Sequence, residues 1–275
     1  MAASTQVFSP MRSRIDTTAD CRAFTRADLC GLLATASLLI GVLCGSGSAT
    51  RTAAEAAGCQ NNLRQLSQAW LDHAADHPLL IGNPNSGLAS AVRDDVWAMG
   101  WLGWDTSSVN TNTSNIQTAG FAPYIGSATG VFRCPSDRFV APVQRHLGWR
   151  YRVRSYSMNG YIGPVGHPPF DQRYREFKRQ SDFLLPSETF VFTEEHPDSI
   201  NDPWFGVMPD GSGVGDVPAS FHGRGAGFSF ADGHVELHRW RGSLLVKPVR
   251  FAFNFGYATN DADLLWLGQR SSQRR

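Results

Sequence analysis

The longest pattern in the chain is an uncharged, largely apolar run over residues 29–50. Its length matches the roughly 20 residues that an α-helix needs to cross a bilayer. Arg12, Arg14 and Arg22 precede the run, and positive residues tend to stay on the cytoplasmic side of a membrane segment. The pattern therefore predicts one transmembrane helix, with the rest of the chain exported beyond Arg51.

A second periodic segment, residues 51–77, follows directly and contains no proline. Its apolar positions recur at spacings of three and four, as on one face of an amphipathic helix: Leu63, Leu66, Trp70 and Ala74. The sequence His77-Pro78 should end the helix, because proline disfavours a helical residue before it. We expect one continuous helix from the membrane segment into the exported part.

After the helix, short apolar runs alternate with Gly, Pro, Asn and Ser, which predicts β-structure and loops. Residues 149–154 alternate apolar and basic side chains, as in a strand with one solvated face, and residues 189–193 are rich in strand formers. Residues 227–238 alternate on both sides of Asp232-Gly233, a strong hairpin signal in which both turn residues take positive φ. Residues 241–275 show no usable pattern and read as a C-terminal extension with a frayed end.

Composition narrows the class of protein. Hydrophobic residues make up 42% and charged residues 18% of the chain, as in ordinary folded domains. The formal net charge of +1 gives no indication of a nucleic-acid partner.

Cysteine usage bears on the exported part, which contains only Cys59 and Cys134 of the five cysteines. Two thiols in an oxidising compartment are more often paired than free, which predicts a disulfide that fastens the long helix to the globular body. Two separately buried thiols are the alternative.

The start of the apolar run, Ala23-Phe24-Thr25-Arg26-Ala27-Asp28, resembles a type IV prepilin processing site. By this resemblance a prepilin peptidase cuts after Ala23 and methylates Phe24, and Asp28 serves as the carboxylate of subunit assembly. A signal anchor or an ordinary secretory signal, cut near the small residues 45–49, is the alternative.

A second resemblance lies downstream, where His222 is followed after nine residues by Asp232-Gly233. This matches the signature of the H-x9-DG (DUF1559) family of prepilin-type, type II secretion pseudopilin-like bacterial membrane proteins. Four further segments resemble motifs of that family in order along the chain: residues 59–66, 132–137, 156–160 and 195–202.

The resemblance implies an α+β, pilin-like fold in which the long N-terminal membrane helix continues onto an antiparallel sheet. The implied divisions are a leader, a transmembrane helix, its amphipathic continuation, a β-rich H-x9-DG domain and an extension: residues 1–23, 24–50, 51–77, 78–240 and 241–275.

The implied function is that of a structural subunit, not an enzyme. It would be processed by prepilin peptidase and assemble with itself or other pseudopilins, through its N-terminal helix, into a type II secretion or type IV pilus-like filament. It would lie in the inner membrane as a single-pass protein, with its C-terminal domain in the periplasm or at the cell surface.

Oxygen-bearing side chains crowd into residues 194–202, and Ca²⁺ takes six to eight oxygen ligands from such loops. The candidate ligands are Glu195, Asp198, Asn201 and Asp202, next to Glu194. Turns in which these side chains bind nearby backbone groups are the alternative.

Histidines offer a different metal set, because imidazole and carboxylate suit zinc. The set would comprise His196, His222, His234 and His238 with Asp232 and Glu236. Alternation places His234, Glu236 and His238 on one strand face, which is equally the polar face of a half-buried strand.

Two rival functions stay open. One is a membrane-tethered surface module that binds glycan or Ca²⁺, using aromatic residues such as Trp97, Trp101 and Trp104, which equally suit a short helix on the core. The other is a metal-dependent hydrolase built from Glu195 and His222, although no G-x-S-x-G, H-E-x-x-H or P-loop pattern occurs.

Overall fold

The computed structural model describes residues 26–85, 95–126, 128–164, 171–253, 257–258 and 261–275. The chain divides into two compact units, Met1–Ser48 and Ala49–Arg275. Helix α1 (Arg26–Asp76) has 51 residues and belongs to both. It ends directly before His77-Pro78.

The prediction of a membrane-spanning segment is wrong. Among the described residues, no helix has a stretch long and apolar enough to cross a bilayer. A run without charge is not thereby apolar, and Gly, Ser, Ala and Thr fill residues 45–50. This finding overturns three predictions. They are the transmembrane helix over residues 24–50, the pilin-like membrane fold and the single-pass location in the inner membrane.

The processing residues Ala23 and Phe24 lie outside the described residues, and for Asp28 only the helical backbone is described.

The main sheet has five strands: β1 (Tyr156–Asn159), β2 (Phe190–Glu194), β3 (Trp204–Phe205), β5 (Gly225–Phe230) and β6 (Val235–Arg239). Their order is β3-β1-β2-β5-β6, and a separate pair joins β4 (Gly213–Val214) to β7 (Tyr257–Ala258).

The expected antiparallel sheet is in fact mixed, because β3 runs parallel to β1. Strand β2 is antiparallel to β1. The chain then reverses through residues 195–203 and returns on the far side of β1, so β3 shares the direction of β1.

The hairpin predicted over 227–238 is confirmed as β5 and β6, which pair antiparallel. Its turn differs from the expectation. Four residues, 231–234, separate the strands, and of Asp232 and Gly233 only the glycine has positive φ, at 94°.

The remaining helices are short: α2 (Ser114–Gln117), α3 (Ala122–Ile125), α4 (Pro142–His146) and α5 (Ala262–Gln269). Single 3-10 turns occupy Ser108–Asn110, Thr129–Phe132, Gln180–Asp182 and Pro186–Glu188. Trp97 is buried outside any helix, and Trp101 is 40% exposed.

The strand predicted over 149–154 is absent from this described segment, and two of its arginines are buried rather than solvated. The guanidinium of Arg152 stacks on Trp104 at 4.0 Å. Arg154 donates to the Tyr156 carbonyl at 2.7 Å and the Asn201 carbonyl at 3.1 Å. Backbone acceptors and an aromatic face thus replace water around these cations.

Two apolar cores lie on opposite faces of the sheet. The first contains one face of α1, with its side chains fully buried: Cys59, Leu63, Leu66 and Trp70. The second contains Phe228 and Phe230 of β5 with Leu264 and Leu267 of α5. Residues 241–275 therefore contribute to the core instead of fraying, and the Arg275 N–H donates to the Arg173 carbonyl at 3.0 Å.

Candidate metal centre

Four side chains from four separate segments meet between α1 and the sheet: Cys59, Cys134, Glu194 and His222. Their potential ligand atoms all lie within 4.8 Å of one another. All four residues are buried, with His222 the most exposed at 5%. Among the described residues this is the one group of three or more metal-ligating side chains that lie so close together.

Cys59 is placed by α1, on the same face as Leu63. Gly58, the residue before it, allows the segment around Pro135 to approach the helix, because a Cβ on Gly58 would lie 3.1 Å from Pro135 Cγ. The Tyr156 hydroxyl donates to Cys59 Sγ at 3.4 Å.

Cys134 follows the 3-10 turn Thr129–Phe132 and begins a tight turn in which the Asp137 N–H donates to the Cys134 carbonyl at 3.0 Å. In the same turn the Ser136 N–H donates to Cys134 Sγ at 3.3 Å. A backbone donor aimed at sulfur stabilises a thiolate there.

Glu194 is the last residue of β2, paired with Tyr156 across the sheet. Its Oε2 accepts the Gly227 N–H at 2.7 Å. Oε1 faces the other three side chains: it lies 3.0 Å from Cys59 Sγ and 2.9 Å from His222 Nε2.

His222 lies in the tight connection that leads into β5. Gly223 and Arg224 both have positive φ, 61° and 71°, and the His222 N–H donates to the Gly225 carbonyl at 3.1 Å. This bend directs Nε2 to within 3.5 Å of Cys134 Sγ.

The geometry is not that of a Cys-His-acid catalytic triad. In a triad the carboxylate binds one ring nitrogen and the nucleophile faces the other. Here Glu194 and Cys134 both face Nε2 of His222, while its Nδ1 is buried with no partner among the described residues. Four donor atoms that lie this close together could instead hold a metal ion.

The pKa values of the four side chains without metal indicate which protons a bound ion would have to displace. Burial raises the pKa of the Cys59 thiol to about 11 and raises that of Cys134 as well. Burial opposes charge on His222, but its contacts with Cys134 and Glu194 outweigh this and raise its pKa to about 10. Burial likewise opposes charge on Glu194, and the His222 contact reverses this to lower its pKa. Without metal these shifts favour a protonated imidazole and an ionised carboxylate, and they oppose ionisation of both thiols.

The donor set fits zinc. Two thiols, one imidazole and one carboxylate are ordinary zinc ligands. A tetrahedral ion with bonds of about 2.0–2.3 Å places its ligand atoms roughly 3.3–3.8 Å apart. His222 Nε2 lies 2.9 Å from Glu194 Oε1 and 3.5 Å from Cys134 Sγ, and all four atoms lie within 4.8 Å of one another. Binding of an ion would therefore change these separations by about 1 Å or less. A soft thiolate pair disfavours Ca²⁺ and Mg²⁺.

The cysteines expected to form a disulfide do come together, but each carries a free thiol in the structure. Their proximity to His222 and Glu194 offers a reason to keep them reduced, because a metal needs the thiolates.

The side chains of the acidic loop that follow Glu194 bind other protein groups instead of this centre. Glu195 accepts hydroxyl hydrogen bonds from Ser157 at 2.5 Å and Ser199 at 2.7 Å. Asp198 accepts the Arg250 N–H at 2.6 Å, and the Asn201 side-chain oxygen accepts the Asp202 N–H at 2.6 Å. Of these contacts only that of Asn201 is a local turn bond, since Glu195 binds serine hydroxyls and Asp198 binds a backbone N–H from a distant segment. Calcium binding here stays a prediction.

Of the expected histidine set, only His222 belongs to the centre. His196 Nε2 contacts the Lys247 carbonyl at 3.1 Å, His234 pairs with Asp232 at the hairpin turn, and His238 stacks on Trp266. Of the H-x9-DG residues, His222 is thus in the centre, while Asp232 and Gly233 form the turn.

Sequence reasoning did not place Glu194 with the cysteines and His222, because Glu194 was grouped with the acidic loop that follows it. One signal was available: Cys59, Cys134 and His222 each fall in a different motif segment, a distribution typical of a site assembled by folding.

Comparison of the chain with protein-family models, curated proteins and solved structures gives no match. The resemblance to the H-x9-DG family therefore depends on its motifs alone.

Proposed function

We propose that the protein is a structural, non-catalytic subunit whose folded domain is held together by a zinc ion at Cys59, Cys134, Glu194 and His222. The observation that carries this proposal is the convergence of these four donors, within 4.8 Å, from four distant segments.

The position of the centre explains its role. Cys59 belongs to α1, Glu194 to the sheet, and Cys134 and His222 to the connections that cover their junction. One ion on all four would fasten the helix to the sheet. Because such a site does not preform in the unfolded chain, metal affinity adds directly to folding free energy.

Burial favours a structural over a catalytic ion. A catalytic zinc keeps a position open for water or substrate, whereas four protein ligands close a structural site. Cys59 and Glu194 are 0% exposed and Cys134 is 1% exposed.

The test is metal analysis of the full chain purified without chelator. We expect about one zinc per chain, and its loss in Cys59→Ser, Cys134→Ser and Glu194→Gln. Removal of zinc by a strong chelator should lower Tm by about 10 °C or more, because an ion at 1,000 times its Kd contributes about 4 kcal/mol.

His238→Gln is the matched control, since His238 is a half-buried histidine outside the centre. It should retain zinc. The proposal would be overturned if the full-length protein folds without metal, gains no stability from added zinc and keeps the same Tm in the chelator.

A second candidate function is self-assembly through the N-terminal part of α1, as the pilin resemblance implies. The specific observation is that Leu29 and Leu33, one helical turn apart, are 51% and 59% exposed. Leucines at i and i+4 on a solvated helix face are typical of helix–helix contacts.

A further inference from the structure

A cavity of about 260 Å³ includes Cys134, one of the four residues of the candidate centre, in its lining. Its lining includes three arginines, Arg133, Arg138 and Arg150, and one acid, Asp137. Arg138 and Arg150 are exposed, so the cavity meets solvent on their side.

The cavity has an excess of positive charge. Arg138 is paired with Glu55. Asp137, whose side chain accepts the Ser155 hydroxyl at 2.8 Å, is the one acid in the lining. Arg133 and Arg150 therefore leave the cavity basic.

Arg133 is also incompletely satisfied. Its guanidinium lies over the Tyr151 ring at 3.3 Å, and its Nη1 is buried with no hydrogen-bond partner among the described residues. A buried guanidinium donor without an acceptor favours an anionic guest.

We propose that this cavity admits anionic disulfides of low molecular weight to Cys134, and that their reduction converts the metal centre into a disulfide between Cys59 and Cys134. This inference rests on the zinc centre proposed above. The substrate class is a small disulfide bearing carboxylates, such as oxidised glutathione.

The chemistry balances in two exchange steps. Cys134 Sγ, which the proposed zinc ion would hold as a thiolate, would attack one sulfur of the small disulfide and expel the other as a thiolate. Cys59 Sγ then attacks Cys134 Sγ, forms the intramolecular disulfide and expels the second thiolate. The protein loses two electrons, the small disulfide gains two, and zinc leaves as Zn²⁺.

Zinc leaves because only His222 and Glu194 remain as donors, and both cysteine sulfurs are then bonded to each other. The disulfide can form with a small movement of the side chains, because the two sulfur atoms already lie within 4.8 Å of each other. The centre would thus respond to the thiol–disulfide balance by releasing its helix-fastening ion.

The test uses the zinc-loaded full chain with Cys21, Cys30 and Cys44 replaced by serine in every protein compared. Zinc release is followed with a chromogenic chelator, and disulfides are located by peptide mass spectrometry. Oxidised glutathione, which is anionic, should release zinc on the order of tenfold faster than cystamine, which is cationic. Each ion released should accompany one disulfide between Cys59 and Cys134.

Charge variants separate steering from simple reactivity. Arg150→Gln should slow release by oxidised glutathione severalfold and should not slow release by cystamine, which the arginine repels, whereas Arg150→Lys should retain most of the rate. Arg179→Gln, at an exposed arginine outside the cavity, is the matched control. Cys59→Ser, which is expected to hold no zinc and is therefore followed by mass spectrometry alone, should trap glutathione as a mixed disulfide on Cys134.

Three results would count against the inference. Zinc that stays bound in oxidised glutathione, or equal rates with the two disulfides, would overturn it while leaving the zinc proposal intact. Absence of zinc from the starting protein would instead overturn the proposed function, and this inference with it.

Discussion

Gly227 shows at the scale of one residue how α1 comes close enough to the sheet to share a centre with it. A Cβ at this position would lie 2.5 Å from Leu63 Cδ1, 3.2 Å from Cys59 Sγ and 3.4 Å from Glu194 Oε2. Leu63 and Cys59 are 0% exposed and have no free space to retreat into. The missing side chain is therefore a condition for the approach of helix and strand.

We expect Gly227→Ala to destabilise the domain by about 1–3 kcal/mol, as overpacking does, and to weaken zinc binding. Urea unfolding and metal content measure the two effects. Gly130→Ala is the control, because a Cβ there meets nothing within 4 Å and the change should stay within about 0.5 kcal/mol. Equal effects at both glycines would contradict the role given to Gly227.

At the scale of an element, α5 shows that a segment without a sequence pattern can complete a core. Asp261 caps this helix by accepting the Asp263 N–H at 2.8 Å. Leu264 and Leu267 are 0% exposed and lie against the face of β5 that carries Phe228 and Phe230. An eight-residue helix is too short to be stable alone, so its packing against the sheet maintains it.

We expect Leu264→Ala to reduce the free energy of unfolding by about 2–5 kcal/mol, because it leaves a cavity in this core. The adjacent Leu265 is 43% exposed, and Leu265→Ala should have a much smaller effect. Denaturant titration of the two variants compares a buried and an exposed leucine in one helix. Similar losses for both would show that α5 does not contribute to the core as described.

At the scale of the whole molecule, the chain consists of two units that share α1. The unit Ala49–Arg275 contains the candidate metal centre and both large cores. The division predicts that the larger unit folds by itself and that the smaller one serves association between copies.

Removal of residues 1–48 should therefore leave Tm and zinc content nearly unchanged and yield a monomer, while the full chain self-associates. Light scattering after gel filtration measures this. Leu29→Gln combined with Leu33→Gln should reduce association of the full chain, and Leu265→Gln, at an exposed leucine elsewhere, should not. A monomeric full chain, or a truncated chain that associates equally, would reject the assembly role.

The sequence by itself determined what depends on neighbours along the chain. The stripe formed by Leu63, Leu66 and Trp70 became a buried helix face, proline ended the helix, and alternation around Asp232-Gly233 produced a hairpin. These features follow from periods of 3.6 and 2 residues, which local sequence contains in full.

Only the tertiary structure decided what depends on distant segments. Cys59 and Glu194 are 135 positions apart, and Cys134 and His222 are 88 apart, so no local pattern brings them together. The parallel pairing of β3, the burial of Arg152 and Arg154 and the docking of α5 likewise depend on the path of the whole chain. Periodicity states which face of an element is apolar, whereas packing decides what that face meets.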